Sequence, residues 1–246
     1  MTRRPGFTLL ELLASVVVGS IVLVAAAALL GSSGEGYERI GGGVVTEREA
    51  RALISQLTSD LATARFHPET VVENSGTAWP ASQLGFLSLQ PAEAQSRDGR
   101  IGDLCAVHYY IKDLEIGGKT VRCLMRGFRE SADSFAALGN DTVASLFQPD
   151  DTFDEPVAFN VAAFEARPMS HDQSGQWREW PRNPNQGPEA IDVRIVIVRR
   201  ELAGRLRTTA DWDGGNRQLG TITDTERNRH LETYGAMIRF GNDESF

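Results

Sequence analysis

From Phe7 to Leu30 the chain runs 24 residues with one ionisable side chain, Glu11. A helix of that length reaches about 36 Å at about 1.5 Å per residue, enough to cross a bilayer with some tilt. Arg3 and Arg4 stand just before it, and basic residues flanking an apolar span tend to stay on the cytoplasmic side. The chain beyond Leu30 is then expected outside the cytoplasm. Glu11 lies one turn into the span, where a carboxylate is costly unless it finds a partner.

Three readings of this stretch compete. A plain signal anchor would tolerate Glu11 near its polar edge. A secretory signal peptide would use Ala25 to Ala28 as an A-x-A cleavage site, but the apolar core of such a peptide is normally uncharged. The third reading takes Gly6, then Phe7, Thr8, Leu9, Leu10 and Glu11, then the unbroken apolar run together. This pattern closely resembles the N-terminal motif of type IV prepilins and pseudopilins, and it is the reading the residues favour.

The resemblance implies roles. Prepilin peptidase would cut after Gly6, and Phe7 would become the N-methylated mature terminus. Glu11 would attract the terminal amine of a neighbouring subunit, since opposite charges in a helix bundle at membrane depth relieve each other's desolvation. The partners implied are that peptidase, other pilins or pseudopilins through the N-terminal helix, and an inner-membrane assembly platform. The chain would cross the inner membrane once, with its N-terminus cytoplasmic and its head periplasmic, and then enter a filament. Major pilins often carry a kinking proline in the spine; Phe7 to Leu30 has none, which hints at a minor or specialised subunit.

A hydrophobic content of 41% and a charged content of 24% suit a folded ectodomain. Net charge is −8 and falls to −10 when the two leader arginines are lost. An acidic body disfavours non-specific nucleic-acid binding and stays off anionic lipid. No nucleic-acid partner is expected.

Six glycines between Gly31 and Gly43 disfavour a rigid continuous helix, so residues 31–45 read as a linker. An amphipathic helix is expected over 46–66, capped at Thr46 and ended by Pro68. Ala50, Leu53, Ile54, Leu57, Leu61 and Ala64 form its apolar face, with Gln56 and Asp60 away from it. Strands are then expected at Leu84–Leu89, Cys105–Ile111, Thr120–Phe128, Val157–Glu165, Ile191–Val198 and Glu232–Phe240. Gly117-Gly118 marks a hairpin turn. Ser131 to Leu146 suggests a short helix around Phe135 to Leu138, Arg167 to Pro188 a long loop broken by a short strand, and Arg205 to Thr209 a pairing back onto Ile191–Val198.

The head also resembles, less specifically, the J-type minor pseudopilins of type II secretion and the W-type minor pilins. The pieces are Val107-His108-Tyr109, Leu124-Met125-Arg126, Trp177 and Trp180, Pro188 before Ile191-Asp192-Val193, and Ile238-Arg239-Phe240-Gly241-Asn242. Glu11 argues against the K-type tip subunit, which usually lacks it.

No catalytic constellation is evident. His67, His108, His171 and His230 are scattered, and His108 reads as a strand surface residue. Asp150, Asp151, Asp154 and Glu155 are candidate calcium ligands, although a charged loop needing no metal is the simpler reading. Asp211 to Asn216 departs from the calcium-loop pattern and reads as a solvated turn. Arg194, Arg199, Arg200, Arg205 and Arg207 would meet an acidic partner or balance the chain's own carboxylates. Cys105 and Cys123 are exported, which favours a disulfide. A two-residue Gly117-Gly118 turn, however, sets Cys123 opposite Lys112 and points the thiols to opposite faces, so no disulfide is predicted.

The expected architecture is α+β: leader 1–6, transmembrane spine helix 7–30, linker 31–45, and a pilin-like head 46–246 with a helix followed by antiparallel sheets. The expected function is that of a structural minor pilin or pseudopilin, not an enzyme and without a cofactor unless calcium binds. The rival is a signal-anchored binding or enzymatic ectodomain unrelated to filaments.

Overall fold

The computed structural model describes residues 13, 16–18, 20, 22–24, 46–73, 79–183, 185–214 and 219–241. The chain divides into two units, Met1–Val45 and Thr46–Phe246. In the first, every described residue is helical. Leu13, Val16, Val17, Val18, Val22, Leu23 and Val24 are all half or more exposed, and a helix apolar on several sides calls for apolar surroundings. Ser20 turns its hydroxyl inward, donating to the Val16 carbonyl at 2.7 Å. Among the described residues no helix is long and apolar enough to cross a membrane. Most of the expected span 7–30 lies outside them.

The second unit begins with α1, residues 46–62. Ala50, Leu53, Leu57 and Leu61 recur at helical spacing and are almost wholly buried, each leucine contributing about 1.5–3 kcal/mol of apolar burial. The helix stops four residues short of the expected 66, because tertiary pairing captures the chain first. Ala64–Arg65 is already a strand, β1, and the Thr63 carbonyl accepts from the Leu89 amide at 2.9 Å.

Six antiparallel strands form the first sheet. β1 and β2 (Val71–Glu73) share one edge of β3 (Gln83–Leu89), followed by β4 (Leu104–Ile116), β5 (Lys119–Arg129) and β6 (Glu155–Phe159). The β4–β5 hairpin turns at Gly117 and Gly118 with φ of 60° and 74°, the left-handed pair that a tight hairpin needs. Ile116 stands opposite Lys119 and Lys112 opposite Cys123.

The expected single strand Val157–Glu165 is two strands in different sheets. The chain leaves β6 and re-enters as β7 (Val161–His171) through Asn160, at φ 58°; asparagine tolerates that conformation better than most residues. The second sheet has the order β10 (Leu231–Arg239), β9 (Ala190–Val198), β7, β8 (Trp177–Glu179). β7 therefore runs further into the segment expected as a loop, and β9 pairs with β7 and β10 rather than with Arg205 to Thr209.

One core joins α1 to both sheets: Leu53, Leu57 and Leu61 meet Phe86, Val107 and Leu124 of the first and Phe164, Ile191, Val193, Ile195 and Ile197 of the second. Beyond this core the first sheet is covered by α2 (Ser131–Gly139) and a 3-10 turn, Val143–Phe147. Gly85 makes room there: a β-carbon on it would lie 2.6 Å from the Phe147 ring. The second sheet is flanked by α3 (Arg200–Ala203), α4 (Thr209–Trp212) and α5 (Asp224–His230). The expected solvated turn at Asp211 is corrected here. Trp212 is fully buried among Val196, Leu202 and Leu206, and its indole donates to the Thr120 carbonyl at 3.0 Å. Asp213 binds Arg122.

Candidate functional site

Gly6, Phe7 and Glu11 lie outside the described residues. The chemistry that the head displays is organised by two buried carboxylates. Asp60 was expected on the solvent side of α1, yet it is 1% exposed. It lies one position from Leu61, and β5 supplies the charge that lets it turn inward. Its Oδ2 accepts from Tyr109 at 2.5 Å and from Arg126 Nε at 2.8 Å; its Oδ1 accepts from Arg126 Nη2 at 3.1 Å and from Gln90 at 3.2 Å. A buried carboxylate is tolerable when an arginine forks onto it and its remaining lone pairs are filled. Burial disfavours the charged form of Arg126, but its bonds to Asp60 outweigh this and raise its pKa. Burial, and then the Asp60 charge, push the Tyr109 phenol well above its ordinary range.

Asp154 sits on the opposite face of the same sheet. It receives Arg129 at 2.7 Å, Tyr110 at 2.9 Å and the Asp150 amide at 2.8 Å. Burial raises its pKa, but these donors prevail and hold the carboxyl below its ordinary value. His108 is not the surface residue expected. It is buried and stacked on Tyr110 at 5.0 Å and 7°, and among the described residues neither ring nitrogen has a hydrogen bond. Burial chiefly, with Arg129 assisting and Asp154 opposing, lowers its pKa to about 4. At neutral pH the ring is therefore uncharged, and its 3.4 Å approach to Asp154 is not an ion pair.

The four candidate calcium ligands do not converge. Asp154 is engaged as described, Asp150 accepts from the Thr152 amide at 2.8 Å, and Asp151 pairs with Lys112. Glu155 is exposed on β6 opposite Arg126. Among the described residues no three His, Cys, Asp or Glu side chains gather as metal ligands. Of the five arginines singled out in the sequence, Arg194 pairs with Glu165 and Arg199 with Glu232. Cys105 and Cys123 are buried free thiols. Cys105 shares a face of β4 with Val107 and Tyr109, whereas Cys123 packs with Tyr110 and Met125 on the other side. Burial pushes both thiols to about 12, so neither is a ready nucleophile.

An open groove of about 1050 Å³ lies between α2, the end of β5, β6 and the loop carrying Asp150 and Phe153. Sequence reasoning missed it, because its walls come from segments that meet only in the fold. The two arginines in it are spent on Asp60 and Asp154.

Comparison with known proteins bears on the other end of the chain. Residues 1–27 match the family model of the prokaryotic N-terminal methylation motif. No curated protein matches the chain. Such a motif implies a pilin-like precursor that prepilin peptidase processes and that assembles with other pilins. Residues 1–27 thus carry the N-terminal signature found in type IV prepilins and pseudopilins.

Proposed function

We propose that the chain is a structural, non-enzymatic minor subunit of a type IV pilus-like or type II secretion filament. The observation that carries this is the match of residues 1–27 to the methylation motif. The exposed apolar side chains between Leu13 and Val24 support it, since they need lipid first and neighbouring helices afterwards. Processing after Gly6 frees the Phe7 amine, which meets Glu11 of the next subunit as the helices leave the bilayer. The assembly platform draws the subunit from the inner membrane, and the head, held outside the cytoplasm, faces neighbours or cargo. A closer kinship to J-type minor pseudopilins or W-type minor pilins is supported by the order of short motifs along the head. Val107-His108-Tyr109 falls in β4, Leu124-Met125-Arg126 in β5, Trp177 in β8, and Ile238 in β10.

Glu11 provides the test of assembly. Glu11→Leu exchanges a carboxylate for an apolar side chain, so membrane insertion is retained or improved. Incorporation into filaments, followed by immunoblot of sheared or purified filaments, is lost or strongly reduced. Incorporation equal to that of the parent chain would contradict the proposed role of the charge pair.

A further inference from the structure

We propose that the groove between α2 and β6 is a docking surface for a cationic, amphipathic segment of a different polypeptide chain. The inference does not rest on the filament reading, because every residue it uses belongs to the head.

Apolar surface lines the groove where Phe128 and Val157 are half-buried, and Phe153 stands 65% exposed at its mouth. A phenylalanine left open beside a concave apolar floor has the form of an anchor point waiting for a partner. Around this floor stand Glu130, Asp133, Asp150 and Glu155. None of the four pairs with a lysine, arginine or histidine of the described residues. Among the described residues Glu130 accepts only the amide and hydroxyl of Ser96, which are neutral donors. Arg126 and Arg129 also reach the groove, but each is matched to a buried aspartate. What remains is four uncompensated negative charges around apolar walls, an arrangement that concentrates the field and draws in cations.

The identity of the occupant follows from this charge. A second copy of this chain would bring its own net charge of −8, and an anionic membrane would be repelled as well. A bare metal ion has no converging ligand set among the described residues. The complement is a segment of another chain that presents lysine or arginine beside aromatic or aliphatic side chains.

The test uses the full-length chain in phosphatidylcholine nanodiscs and a labelled amphipathic peptide of lysine, leucine and phenylalanine, with empty nanodiscs as the baseline. One control peptide carries glutamate in place of lysine, and a second carries serine in place of leucine and phenylalanine. The expected result is saturable binding of the first peptide alone, weakening as salt rises. Binding falls about tenfold or more in Asp133→Asn/Glu155→Gln and in Phe153→Ser, all at exposed side chains, while Glu201→Lys on α3 leaves it unchanged. Thermal unfolding checks that each variant is folded. Absent binding, equal affinity for the control peptides, or equal affinity in parent and groove variants would overturn the proposal.

Discussion

A β-carbon on Gly127 would stand 2.0 Å from Cε1 of His108 and 2.8 Å from Oδ1 of Asp154. The imidazole therefore owes its place between Tyr110 and the Asp154 cluster to a missing side chain on the neighbouring strand. Two consequences can be measured on the head, Thr46–Phe246. Gly127→Ala is expected to cost about 1–3 kcal/mol in chemical denaturation, the range for forcing an atom into a packed site. The histidine also makes stability depend on pH. Its folded pKa, about 4, lies below the ordinary 6.5, so the unfolded chain takes up the proton first. Stability is fully present above about pH 6.5 and declines by about 3 kcal/mol as pH falls to 4. Asp154, held below its ordinary range by Arg129 and Tyr110, acts in a lower window. His108→Gln should flatten the unfolding midpoint between pH 6.5 and 4; an unchanged slope would show that other groups set it.

At the scale of the element, α1 is fixed at its C-terminal end. Asp60 reaches across 66 residues of sequence to Arg126, Ser88 donates to the Asp60 carbonyl at 3.0 Å, and the Gly241 amide donates to Leu61 at 2.9 Å. Asp60→Ala leaves the half-buried Arg126 without its counter-charge and should cost about 3 kcal/mol. The double replacement Asp60→Leu/Arg126→Met removes both charges and should cost less, as urea denaturation would read. These contacts also show what the sequence could and could not reveal. The Gly117-Gly118 hairpin, its register and the inward face of β9 were legible, because turn chemistry and alternation are local signals. The inward turn of Asp60 was not, since the arginine that makes it tolerable lies in a strand far along the chain. The switch of sheets at Asn160 was hidden because Val157 to Glu165 reads in sequence as one uninterrupted strand. The end of α1 was misplaced because pairing to β3, rather than Pro68, stops the helix.

On the scale of the whole molecule, the two units carry different surfaces. Among the described residues the first unit carries exposed apolar helical side chains, Leu13 to Val24, with Ser20 as the one polar residue. The second carries its own core, built from one helix and two antiparallel sheets. Such a chain suits a subunit held by its helix and recognised by its head, and its acidic charge keeps that head off anionic lipid. Everything in this reading depends on where the mature chain begins. The most direct measurement is the mass and N-terminal sequence of the chain purified from membranes of cells with an active prepilin peptidase. The account predicts a chain that starts at Phe7 and carries one methyl group on its amine. A mature chain that retains Met1, or one that begins near Leu29, would contradict it.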